Sequence, residues 1–215
     1  MKNILLNYKI LILSLVIGMG ACTDNFEEVN TNPNQPTVVP TSYLMTQAQR
    51  ANVSWILEEG SIHEYGIHYS QMWSQTQYTS FITRYDNTEL NFSTWYSGPL
   101  ADIQEIINIM SDPDQAAAFE ASGSTNNQLA VARIMRAWAF QNITDFWGDV
   151  PYSEALAGRE NFQPKYDAQS AIYADLVKEL KEAAAQIDGG LGMQGDIIFG
   201  GDMDAWKMFA NSLLL

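Results

Sequence analysis

The stretch that most limits what this chain can fold into covers residues 128–155, QLAVARIMRAWAFQNITDFWGDVPYSEA. Ala130, Ile134, Ala137, Trp138 and Gln141 recur at spacings of three and four, which places them on one face of a helix. Val131, Met135, Trp138 and Phe146 mark a second face, so the predicted helix is apolar around most of its girth. A helix of that kind is buried among other helices rather than laid on a surface. Gly148 ends it, and Pro151 keeps the chain from re-entering it. The turn at 146–152 then carries aromatics and a carboxylate, Asp149, out of the core.

The rest of the chain reads as helices that pack on this one. Thr41 or Ser42 should cap a first helix that runs to about Glu58, with Leu44, Ala48, Ala51 and Trp55 on one face. Gly60 ends it, and Ser61 opens a second helix with a stripe of Ile62, Tyr65, Tyr69, Met72 and Trp73. Residues 76–91 are polar and aromatic without periodicity, a long loop or short hairpin. Ser93 should cap a third helix bearing Leu100, Ile103, Ile106, Ile107 and Met110, which starts near Pro99 or kinks there. A loop at 121–127 leads into the central helix. After an irregular run to Tyr166, Asp167 should cap a helix that turns Ile172, Leu176, Leu180, Ala183 and Ile187 inward. Its Asp175, Lys178, Glu179 and Glu182 should face water, with Lys178 and Glu182 paired weakly four residues apart. Asp202 or Asp204 begins a last helix with Met203, Trp206, Phe209, Ala210 and Leu213. Its uncovered apolar end at 213–215 suggests the N-terminal part of a longer protein.

Residues 1–21 stand apart from this pattern. Lys2 and Lys9, an apolar run from Ile10 to Ile17 and small residues at 18–21 make the three-part layout of a secretory signal peptide. Cys22, the only cysteine, follows immediately, so no intrachain disulfide can form. Its position resembles a bacterial lipobox with Met19 in the usual leucine place, which predicts lipidation of Cys22. Buried acyl chains contribute about 0.8 kcal/mol per methylene, so several chains would anchor the protein. Residues 22–41, with Pro33, Pro36 and Pro40, read as a flexible tether, and 42–215 as the helical domain. The formal net charge of −14, with no basic patch, argues against nucleic acid as a partner. It also leaves membrane attachment to the lipid.

Sites of chemistry are harder to find. His63, Glu64 and His68 spell H-E-x-x-x-H, but a five-residue spacing puts the histidines about 140° apart on a helix, so they cannot share one metal ion. The letters G-x-G-x-x-G at 190–195 follow a helix rather than a strand and precede Asp196, which would repel a pyrophosphate. No nucleophile stands in a recognisable setting. The expectation is no catalytic residue, no metal and no cofactor.

Aromatics interleaved with amides are the remaining signal. Trp73, Tyr78, Phe81, Tyr85, Trp95 and Tyr96 crowd one region beside Gln75, Gln77, Asn87 and Asn91. Sugar rings offer apolar faces and hydroxyl rims, which suit such groups. These six are the ligand-binding candidates. Trp73, Trp95 and Tyr96 lie at helical spacing, where a core role is the commoner one, whereas Tyr78, Phe81 and Tyr85 fall in the predicted loop.

Several of these pieces, taken in order, resemble the SusD/RagB family of outer-membrane lipoproteins. They are Cys22, Asn-Pro-Asn at 32–34, W-Y-S-G-P-L at 95–100, the central helix, W-G-D-V-P-Y-S-E-A at 147–155, K-Y-D at 165–167, and K-M-F-A-N-S-L at 207–213. Within them Trp147, Gly148, Asp149, Pro151, Tyr152, Glu154, Trp206 and Asn211 are the motif positions expected to hold the fold together. The resemblance implies an all-α fold with tetratricopeptide-like helix pairs, of which this chain carries about the first half. It also implies a non-enzymatic protein on the cell surface, anchored in the outer membrane by lipid. Such proteins capture oligosaccharides, or in some members peptides, and deliver them to a SusC-like TonB-dependent transporter. A secreted glycan hydrolase domain, a protein-docking scaffold and a non-functional fragment are the alternative readings.

Overall fold

The computed structural model describes residues 39–57, 62–77, 79, 82–85 and 91–215. From Pro40 to Leu215 they belong to one unit, which is helical over most of its described length. The first helix, α1 (Thr41–Leu57), buries Met45, Ala48, Gln49, Asn52 and Ile56. That face lies one step round from the predicted one, and Leu44 and Trp55 are only partly buried. Two polar residues in the buried stripe, Gln49 and Asn52, are what apolar periodicity misread. Thr41 does not cap α1 with its side chain; its hydroxyl donates to Gln128 on the central helix.

The second helix, α2, spans Ile62–Tyr69 and stops before Met72 and Trp73, so neither belongs to its stripe. Gln71 adopts a left-handed φ of 61°, its N–H donates to the His68 carbonyl, and the Met72 N–H donates to Ile67. This pair of bonds is a Schellman closure with glutamine where glycine usually stands. The third predicted helix is two, α3 (Ser93–Ser97) and α4 (Pro99–Ser111), divided at Gly98. Proline disfavours helical backbone in the residue before it and fits the first helical position, so the break falls between them. Ser93 is not the cap; its own N–H donates to the Asn91 side chain.

Asp112 caps a short helix, α5 (Pro113–Ala116), and a 3₁₀ turn (Ala117–Ser122) follows, so the loop expected at 121–127 shrinks to Gly123 and Ser124. The central helix, α6 (Thr125–Trp147), is capped by Ser124 and closed at Gly148, whose φ of 75° suits glycine. Ala130, Val131, Ala132, Ile134, Met135, Phe140 and Ile143 are buried along it, on more than one face as the pattern predicts. Fully burying each larger side chain stabilises by about 1.5–3 kcal/mol. A two-residue ribbon pairs β1 (Val150–Pro151) antiparallel with β2 (Tyr166–Asp167). Then come α7 (Gln169–Gln186) and α8 (Met203–Leu213), the latter capped by Asp202, which accepts from the Asp204 and Ala205 N–H groups.

Contacts between α6 and α7 run in opposite order along the two helices. Thr144 and Asp145 meet Gln169 and Tyr173, Arg136 meets Glu179, and Arg133 meets Glu182 and Gln186. The pair is therefore antiparallel, a tetratricopeptide-like unit, and α4 and α8 pack against the same helix. Glu179 and Asp175 do not face water as the helical wheel suggested. Glu179 has 15% of its side chain exposed and is held at 2.9 Å by Arg133 and 3.0 Å by Arg136. Burial acts to raise its pKa, but the two guanidinium groups, Arg133 first, outweigh that and hold it below the ordinary value. Glu182 pairs with Arg133 at 2.7 Å rather than with Lys178.

The glycines of the loop at 190–195 allow close packing. Gly192 sits where an added Cβ would lie 2.0 Å from the Gly201 carbonyl, so two loop strands touch backbone to backbone. Asp196, next in line, is buried and accepts from Gln49, from the N–H groups of Ile198, Phe199 and Gly201, and from the Trp206 indole. It ties α1, the loop and α8 into one knot.

Candidate functional site

The C-terminal turn of α2 supports a small aromatic ledge. Because Gln71 reverses the chain, Met72 and Trp73 are thrown outward and are 78% and 65% exposed. The Trp73 ring meets His68 edge-on at 6.4 Å, and His68 is itself buried and fixed by Nδ1 at 2.8 Å from the Glu64 carbonyl. Tyr85 follows a short 3₁₀ turn (Ile82–Arg84) whose Ile82 is buried. Its ring lies 5.2 Å from Tyr69, its hydroxyl accepts from Gln71 at 2.8 Å and donates to the Tyr69 carbonyl, and it stays 55% exposed. Two aromatic rings are thus pinned by neighbours yet open to solvent. Fixed, exposed rings are suited to stack on a flat apolar ligand face at little entropic cost.

The other candidates separate from this pair. Trp95 is 1% exposed and belongs to the core. Tyr96 is half-buried, stacks edge-on against Phe140 and Phe92, and donates to the Pro151 carbonyl. Burial, helped by the nearby Tyr166 and Asp167, pushes its phenol well above the usual range. Both are structural in this setting. Tyr78 and Phe81 lie outside the described residues. Sequence reasoning placed Trp73 on a helix face and so toward the core; it missed Gln71, whose left-handed backbone carries no glycine signature.

From Trp147 to Glu154 the motif works as a clamp between α6 and α7. Trp147 packs on Phe92 and Phe146. Asp149, not Asp167, caps α7, accepting the Gln169 N–H at 2.9 Å. Asp167 instead accepts from both the N–H and the hydroxyl of Ser153, and these bonds, the N–H first, hold its carboxyl below the ordinary value. Pro151 is buried in the ribbon, Tyr152 donates to Asp175 at 2.7 Å, and Glu154 pairs with Lys165 at 2.9 Å. Trp206 is buried on Asp196, whereas Asn211 is exposed on α8. Beside the clamp lies a pocket of about 540 Å³ walled by Gln104, Arg136, Phe140, Tyr152, Glu160 and Asp175 among others. Among the described residues no group of three or more His, Cys, Asp or Glu is arranged to hold a metal ion, and no helix is long and apolar enough to cross a membrane.

An α-helical bundle of tetratricopeptide-like pairs, closed by an aromatic and acidic clamp, defines the class. Residues 33–215 match the SusD-like family described as starch-binding and associating with the outer membrane, and the chain belongs to that family. Among solved structures it is similar to a chitin-binding protein, at 28% identity and a TM-score of 0.60 over 80% of this chain and 36% of that one. A SusD-like protein of Bacteroidetes matches at 25% identity and a TM-score of 0.64, covering 81% of this chain and 32% of that one. A SusD homolog from Bacteroides fragilis matches at 25% identity and 0.63, covering 82% and 34%. The matched part of the chain thus spans about a third of the length of these relatives. No curated protein matches it.

Proposed function

We propose that this chain is part of a lipid-anchored surface protein that captures oligosaccharides and passes them, unaltered, to a SusC-like TonB-dependent transporter. The observation that carries the reading is the exposed Trp73 and Tyr85 ledge in a chain of a family described as starch-binding. A chitin-binding structural relative adds β-linked amino-sugar oligomers to the ligands worth testing beside starch oligomers. Residues 1–21 serve as the signal peptide, Cys22 as the lipidated residue, 22–41 as the tether and 42–215 as the helical domain. The ligand side chains are Trp73 and Tyr85, joined by Tyr78 and Phe81 from the same stretch.

Titration of the purified chain with maltooligosaccharides and chitooligosaccharides tests the binding step. Saturable binding without release of new reducing ends is expected. Turnover that a carboxylate substitution abolishes would replace this reading with that of a glycan hydrolase. Intact mass of the membrane-extracted protein tests the anchor: an acylated N-terminal Cys22 is expected, and an unmodified chain starting elsewhere removes it. Co-purification with a TonB-dependent transporter from outer membranes tests delivery.

A further inference from the structure

We infer that the pocket beside the motif clamp binds a cationic group on an alkyl stem, a guanidinium or a primary ammonium, at a site separate from the aromatic ledge. Its volume of about 540 Å³ falls within the span usual for small-molecule sites, roughly 300–1,000 Å³. Two carboxylates, Asp175 and Glu160, line it together with one cation, Arg136. Arg136 is already engaged: one nitrogen donates to Glu179 at 3.0 Å and the other to Gln104 at 3.0 Å. Arg133, behind it, is engaged with Glu179 and Glu182. The two arginines and those two glutamates therefore balance, and the two pocket carboxylates outnumber the one cation that lines it, Arg136.

Among the described residues neither carboxylate forms an ion pair. Among the described residues Asp175 accepts one hydrogen bond, from the Tyr152 hydroxyl, on a single oxygen. Arg159 shares the turn of Glu160 but does not line the pocket, and Lys165 is paired with Glu154. The other walls, Phe140, Leu156 and the alanines on either side of it, are apolar and suit a methylene stem. An anionic ligand would meet two carboxylates against one already engaged arginine and be repelled. A cation gains charge-assisted bonds that a neutral polyol does not.

Calorimetric titration of the full chain with agmatine, and separately with a blocked glycyl-arginyl-glycine tripeptide, tests this at low and high salt. Saturable binding that weakens with salt is expected, reduced about tenfold by Glu160→Gln and further by the pair Glu160→Gln with Asp175→Asn. Glu160 is exposed, so its variant keeps the fold and guards against an indirect effect of Asp175→Asn through Tyr152. Tighter binding of the tripeptide than of agmatine assigns the site to a protein-borne side chain, and equal binding assigns it to a free amine. Absence of binding by both at millimolar concentration overturns the inference. So does binding indifferent to both substitutions, or neutral maltotriose competing for the same residues. Trp73→Ala is expected to leave agmatine binding unchanged, which separates this site from the oligosaccharide reading.

Discussion

Asp196 shows how one side chain can decide a fold. It is 7% exposed and accepts five hydrogen bonds from three separate segments. Burial works to raise its pKa, but the Gly201 N–H, the Trp206 indole and the Gln49 amide together outweigh it, so the carboxyl titrates below its ordinary value. Asp196→Ala strands those donors in the interior and should cost on the order of 3–5 kcal/mol in urea unfolding. A folded pKa below the unfolded one stabilises only above the unfolded value. The contribution is whole above about pH 4 and disappears as pH falls through the folded pKa. The stability gap between the wild type and Asp196→Ala should therefore narrow below about pH 4. Gly192→Ala addresses the same knot through sterics: its Cβ would lie 2.0 Å from a backbone oxygen, and loss of cooperative unfolding is expected.

Between elements, the α6 and α7 pair rests on Glu179, shared by two arginines in a half-buried seam. Glu179→Gln leaves Arg136 without a carboxylate and Arg133 with Glu182 alone, and should destabilise by about 2–4 kcal/mol. Combined with Arg136→Met it should show a coupling above about 0.5 kcal/mol in a double-mutant cycle, whereas independent effects would mean the seam is merely decorated. Asp149→Ala should cost about 1 kcal/mol, because it removes the side chain that caps α7. That cap also marks the limit of what was legible. Helices with dense apolar spacing, α6 and the inward stripe of α7, declared themselves because burial and period coincide. The α7 cap comes from a residue twenty positions upstream, brought close by the ribbon, and local sequence points to Asp167 instead. In α1 the buried Gln49 and Asn52 inverted the same logic, since a polar side chain satisfied or enclosed by distant partners looks solvent-facing in sequence.

Across the bundle as assembled, the aromatic residues sort by what holds them rather than by type. Trp95 is the buried residue of α3 at 1% exposure, while Trp73, twenty-two positions earlier, is 65% exposed because a left-handed Gln71 ended α2 too soon to bury it. Truncating the first should cost the fold about 3–5 kcal/mol, the amount expected for a large buried ring. Truncating the second should leave the melting temperature nearly unchanged. The reverse is expected for ligand under the proposed function. Trp73→Ala and Tyr85→Ala should each weaken oligosaccharide affinity about tenfold, which corresponds to about 1.4 kcal/mol per lost stacking surface. The two losses should multiply in the double variant, since each ring has its own support, His68 for one and Tyr69 with Gln71 for the other. Titration calorimetry read beside thermal unfolding separates the two effects. Unaltered affinity in a folded Trp73→Ala, Tyr85→Ala chain would remove the ledge from the binding site and leave the family resemblance without a surface to act through.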